Sequence, residues 1–473
     1  MDIVTKPQRP VSVLVPTGAL GAGINADFVR RGIAIGVDAI ACDAGSTDSG
    51  PSYLFRGVSK VSREAVKHDL AILMVAAAGA GIPLLIGSCG TSGCDAGVDW
   101  TADIASEIAA EHGLTPRIAL LYSEQEASLL KQRNAEGRIR PLPPLGALDD
   151  DVIDACGHIV ALMGIEPYIE ALKAGADIIL GGRTTDTAVL AAMPVMLGAN
   201  LAASWHAAKV SECGGLCTIN PRGGGVIMRV DDTGFEIEPL SETNQCTPET
   251  ISAHMLYENS DPFKLIEPGG ILNVEGARYV ALDDRVTRVT GMIWMPQPYT
   301  MKLEGASGGH FQTIMIVGIE DPFVLKSLNL FEERLDAVLR SRVDTAIGPD
   351  AGDYDISLRI YGWNGVSGRP VEDDAAPPRE VGVMFVATAS TQAMATRIAK
   401  TCNPTFFHFP LEPGIELPSY GFPFSPAEVE RGQVFEFRLN HVVETADGLE
   451  LVRTRWIEPA NPSKVSVDYA KAS

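Results

Sequence analysis

The first 200 positions alternate between two hydrophobic periods. Short, nearly unbroken apolar runs occur at Val11–Pro16, Ala39–Cys42, Leu84–Gly87, Arg117–Tyr122 and Asp177–Leu180. Runs this continuous fit strands covered on both faces. Between them lie helix-period segments at Asn25–Gly36, Ser62–Gly79, Asp99–His112, Glu124–Glu136 and Asp150–Ala174. Strand–helix alternation predicts a mainly parallel sheet with right-handed crossovers. After about Gly214 the texture changes to Val- and Ile-rich runs at Gly225–Val230, Arg278–Leu282, Val286–Trp294, Phe311–Gly318, Val381–Thr388 and Val434–Val443. Two helices are expected among them, Pro322–Leu339 and Thr391–Thr401. The reading is an α/β N-terminal domain over 1–213, an α+β C-terminal domain over 214–458 and a tail over 459–473. The Pro-rich stretch Phe406–Pro426 is expected to wrap a surface or cover a cleft.

The strand ends carry the candidate chemistry. One loop holds Gly18, Gly21 and Gly23, whose order G-x-x-G-x-G is not the dinucleotide fingerprint G-x-G-x-x-G, although Asp43 lies twenty residues past Gly23. Nicotinamide and flavin are therefore disfavoured. Tight packing and an anion-binding turn of backbone N–H groups both remain open for this loop. The second loop gathers Asp43, Ser46, Asp48 and Ser49, a set that suits a general base or a hard cation, or alternatively a self-capping turn. The third, Ser88-Cys89-Gly90-Thr91-Ser92-Gly93-Cys94-Asp95, reads as a ligand cradle more than as a thiol nucleophile, because no histidine is nearby in sequence. In the fourth, Gly181–Thr187, Arg183 is suited to fork a carboxylate and Asp186 to face the same mouth; a helix-capping pair is the alternative.

Gly305–Gly309 matches G-x-S-x-G, but a strand rather than a helix is expected after Ser307, so a serine-hydrolase elbow is disfavoured. Lys302 and Glu304, just upstream, are better candidates for a site edge. Arg359 and Tyr361 lie on an expected strand and are candidate ligand contacts. Asp350–Asp355 lacks full calcium-loop spacing and reads as an exposed turn.

The net charge of −22 disfavours nucleic acid as a partner. No apolar run reaches the length of a membrane span, and no basic-then-apolar leader opens the chain, so a cytoplasmic location is expected. Eight cysteines in such a chain read as free thiols; neither Cys89/Cys94 nor Cys213/Cys217 has the spacing of a structural zinc site.

The segments Pro16-Thr17-Gly18 with Gly21-Ala22-Gly23, Asp43–Pro51, Gly87–Thr91, Gly181–Ala188, Lys302–Gly305 and Arg359–Gly362 together resemble the AtuA family of acyclic terpene utilization proteins. The resemblance implies breakdown of branched terpenoid acids through coenzyme A thioesters, with a lyase role on a 3-hydroxy-3-alkylglutaryl thioester proposed for the namesake. Relatives carry an additional C-terminal ferredoxin-like domain that this chain stops short of, so a separate small ferredoxin-like subunit is an expected partner.

The expected function is a catabolic lyase or hydratase acting on a small carboxylic acid or its acyl thioester by proton abstraction next to a carbonyl. Asp43 or Asp48 is the expected base and Arg183 the carboxylate clamp, with Asp186 and Glu304 in reserve. Gly18–Gly23 and Ser88–Thr91 are the expected backbone donors. A metal- or thiol-dependent hydrolase, with a divalent metal as cofactor, and the large subunit of a composite enzyme are the alternatives. A homo-oligomer is expected.

Overall fold

The computed structural model describes residues 9–372, 375–414 and 418–459; most of the expected tail lies outside them. The protein is an α/β chain. Its ordering element is a row of five parallel strands: β1 (Val11–Val15), β2 (Ala39–Asp43), β3 (Leu84–Gly87) and β4 (Ile118–Tyr122), with a fifth numbered after two others. Those are β5 (Ile139–Pro141) and β6 (Cys156–Ala161); the fifth is β7 (Ile178–Gly181). The parallel order is β1-β2-β3-β7-β4. All five are buried along their whole length, as continuous apolar runs require.

Residue-level signals set the flanking helices. Asn25 caps Ala26–Ile35 through Oδ1, which accepts from Asp27 and Phe28 N–H, and Ser62 caps Arg63–Ala80. Left-handed glycines, Gly81 and Gly113, end Arg63–Ala80 and Asp95–His112.

The sheet is mixed rather than mainly parallel, because later residues extend it. β8 (Val226–Val230) and β9 (Gly234–Pro239) join antiparallel beside β1. Continuing in chain order, β10 (Lys264–Glu267) and β11 (Gly270–Asn273) form a small sheet with β14 (Ile293–Pro296). Of the strands between, β12 (Arg278–Ala281) and β13 (Thr287–Thr290) continue the large sheet outward from β9. The chain's described C-terminal end returns to its other edge and pairs with β4 through Arg453–Ile457.

The expected helix Asp150–Ala174 is two helices, Asp150–Ala155 and Glu166–Lys173, separated by β6. The reason lies far along the chain: Cys156–Ala161, buried at Ile159–Ala161, pairs antiparallel with Leu303–Ser307 of β15 (Thr300–Ile319). Helical spacing in the flanks masks it in the sequence.

Contacts divide the chain elsewhere than at 213/214. One unit comprises 1–307 with 437–473, the other 308–436. In the second unit, β16 (Tyr354–Tyr361), β17 (Val381–Ala389) and Phe311–Ile319 of β15 form an antiparallel sheet. Helices Leu328–Ala346 and Gln392–Phe407 pack their buried stripes, including Phe331, Leu335, Ile398 and Phe406, into that unit's core. Phe409, Leu411 and Tyr420 of the expected wrapping stretch join the same core; residues 415–417 lie outside the described residues.

Candidate active site

The carboxyl ends of the parallel strands bring all four polar loops to one place. Leu20 N–H donates to Asp43 O, Ala44 N–H to Gly87 O, Ser88 N–H to Gly182 O and Arg183 N–H to Gly93 O, all at 2.9–3.0 Å. Two contacts admit only glycine. A Cβ on Gly45 would lie 2.3 Å from Thr91 Cα, and one on Gly93 would lie 2.3 Å from Arg183 N. Gly93 also has φ +66°, which L side chains rarely adopt.

Arg183 is the hub. It is 5% exposed. Its Nε donates to Glu304 Oε2 at 3.0 Å, Nη1 to Ser88 Oγ and Thr184 O at 3.2 Å, and Nη2 to Thr47 Oγ1 at 3.4 Å. Asp186 Oδ1 stands 3.6 Å from Nη1. Glu304 is equally committed: it also accepts from Thr47 Oγ1 at 2.8 Å and from Lys302 Nζ at 2.7 Å. Burial opposes its charge, yet the charges of Arg183 and Lys302 hold its carboxyl down to about 2. Arg183 therefore has little donor capacity left to fork a substrate carboxylate, and Glu304 is not a proton donor. Lys302, 40% exposed at its side chain, is the cation of this network that meets solvent.

Asp43 ends β2 and is 3% exposed. Oδ2 accepts from Gly45 N–H at 3.2 Å, whereas Oδ1 has no hydrogen-bond partner among the described residues. The Ser88 hydroxyl lies near enough to ease its charge but is itself engaged with Thr184 and Arg183. Burial pushes the Asp43 carboxyl well above its ordinary value; the charge of Asp186 adds to this and that of Arg183 opposes it. Asp186, a third exposed, is also raised by burial, with Arg183 and Lys209 opposing.

The other expected site residues divide. Asp48 is exposed, its N–H donating to Ser46 Oγ at 3.2 Å, and Ser49 N–H donates to Ser46 O: this part of the loop is a self-capping turn. Gly18 packs against the Cys213 backbone. Gly21 and Gly23 do not present free donors, because their N–H groups and that of Ile24 bind the buried carboxylate of Asp69 at 2.9–3.0 Å. Cys89 is fully buried and its thiol is pushed up to about 12 by burial, partly eased by Thr101, so it is no nucleophile. Gly90 packs on Gly97, and Thr91 Oγ1 accepts from Lys60 N–H. Arg359 and Tyr361 are exposed residues of the second unit, Arg359 donating to Gly365 O at 3.5 Å. All eight cysteines are free.

Sequence reasoning missed a second layer of charge. Lys209 and Glu212, each 5% exposed at the side chain, pair at 2.5 Å. Every residue from Ala202 to Ser211 is buried, so a lysine in that apolar helix was a legible signal. Glu267, which accepts from Thr187 Oγ1, is raised by burial to about 7, and its Oε2 has no partner among the described residues. No spacing in the sequence announces Glu267.

The sequence model described as acyclic terpene utilisation family protein AtuA matches residues 89–419. The chain belongs to the AtuA family. The match takes in Arg183, Asp186, Lys209, Glu267 and Glu304, while Asp43 lies before it. No curated protein and no solved structure matches this AtuA-family chain. Among the described residues no helix is long and apolar enough to cross a membrane.

Proposed function

We propose that this AtuA-family protein is a lyase or hydratase that removes a proton next to the carbonyl of a small carboxylic acid or its thioester. The observation that carries the reading is the buried Asp43 with its unpartnered Oδ1, which feels the charge of the more exposed Asp186 at the mouths of a parallel sheet. Two carboxyls in such different surroundings divide into acid and base. Burial keeps Asp43 neutral, which makes it the proton donor to a leaving hydroxyl or a developing enolate. Asp186, opposed in its shift by Arg183 and Lys209, is the base that meets the substrate. Arg183, locked by Glu304, supplies fixed positive charge beside the developing oxyanion, and half-exposed Lys302 attracts the substrate's carboxylate. This reverses the expected role of Asp43 from base to acid. The fully buried Cys89 argues against the thiol-hydrolase alternative.

The test is exchange of carbon-bound hydrogen in deuterium oxide, followed by proton NMR over a panel of branched acyl thioesters and free acids. The wild type exchanges the position next to the carbonyl of at least one member. Asp186→Asn lowers that rate by at least about 10²-fold, the size of a lost general base, and Asp48→Asn leaves it unchanged. Undiminished exchange in Asp186→Asn contradicts the assignment.

A further inference from the structure

A second constellation lies outside the Asp43–Arg183–Glu304 network. Glu212, Cys213 and His254 place a carboxylate oxygen, a thiol sulfur and a ring nitrogen all within 4.8 Å of one another. Glu212 and His254 are buried at 5% and 6% exposure, and Cys213 is half-buried. The decisive atom is His254 Nε2, buried and without a hydrogen-bond partner among the described residues. A buried ring nitrogen left unpaired is costly unless something outside the protein's own donors meets it. From this juxtaposition we infer that Glu212, Cys213 and His254 form a binding site for a borderline divalent transition ion of the zinc class.

The chemistry of the donors fits that class. Imidazole nitrogen, thiolate and carboxylate are the usual ligands of zinc and cobalt, and three protein ligands leave a fourth position for water. Ligands about 2.0–2.3 Å from one ion stand roughly 3–4 Å apart, so modest side-chain movement closes the set. His254 offers the ion its Nε2, the buried ring atom without a partner among the described residues. Cys213 is half-buried beside Glu212, and its thiol loses its proton to solvent as the sulfur binds the ion. The negative charges of Asp186 and Glu258 act on Cys213 and favour a cation there, while Lys209, paired with Glu212 at 2.5 Å, opposes one and must yield its hold on that carboxylate.

A competing triad, Cys94, Glu124 and His158, is closed by comparison. Both oxygens of Glu124 are used there, one by His158 Nδ1 at 2.5 Å and the other by Asp95 N–H at 2.9 Å.

The experiment is titration of the full chain, stripped of metal with a chelator, with cobalt(II) alone, read by absorption. The expected result is one equivalent bound, with a sulfur-to-cobalt band in the near ultraviolet. Cys213→Ser removes that band, His254→Ala weakens binding by at least about tenfold, and Cys94→Ser changes neither. Circular dichroism of each variant separates ligand loss from unfolding. Absence of cobalt binding to the wild type overturns the inference. So does a sulfur band that survives Cys213→Ser, or one that vanishes instead with Cys94→Ser. The readout is independent of turnover, so it stands or falls apart from the acid–base assignment.

Discussion

Single side chains in this protein are held by charge in a dry setting, and their removal has calculable consequences. Glu304 is the counter-ion of Arg183 and Lys302. Glu304→Gln leaves the buried guanidinium short of its partner, and unfolding in urea is expected to show a loss of about 3–5 kcal/mol, as for other broken buried pairs. A loss below about 1 kcal/mol, the range of surface pairs, contradicts the burial argument. Glu267 has the opposite sign. Its folded carboxyl titrates near 7 instead of 4.5, so the folded state holds a proton that the unfolded state has already released between those values. Stability from this group is therefore present below about pH 4.5 and lost as pH rises through about 7, by up to about 3 kcal/mol. Glu267→Gln removes that slope: measured from pH 5 to 8, the variant gains on the wild type as pH rises. A gap that does not change with pH contradicts the assignment.

At the scale of elements, close backbone approach builds the site. Gly93→Ala drives a methyl into Arg183 N, so the loop or the arginine must shift. The expected outcome is a folded but destabilised protein in which carbon–hydrogen exchange falls with it. Asp69→Ala frees three N–H groups of the loop at Gly21–Ile24, and a loss of about 3 kcal/mol in urea unfolding is expected from a carboxylate with that many donors. Asp69 shows what the sequence could and could not reveal. It sits on the buried stripe of Val66, Leu70 and Leu73, where an acid is conspicuous, yet its partners lie 45–48 residues away. The five parallel strands were legible because burial on both faces leaves an unbroken apolar run. β6 was not, because six residues between two helical patterns carry too little period to separate. The four loops were legible as candidates through their Gly, Ser, Thr and Asp content. Their occupation was not, since a free and a satisfied N–H look alike in sequence.

Across the whole molecule, the parallel strand order explains why residues as distant as Asp43, Arg183 and Glu304 share one network: the strand ends sit side by side, and β6 brings β15 to them. The same scale governs the surface. With a net charge of −22, the chain is expected to leave duplex DNA unshifted in a native gel even at low salt, where any attraction is strongest; retardation contradicts the electrostatic reading. The central claim rests on the proton that burial keeps on Asp43. Infrared difference spectroscopy between the wild type and Asp43→Asn, at about pH 6, two units above an ordinary aspartate, reads that proton through the carbonyl stretch of a neutral carboxyl. The account predicts the band in the wild type and its disappearance in the variant; an ionised Asp43 carboxylate at that pH contradicts it.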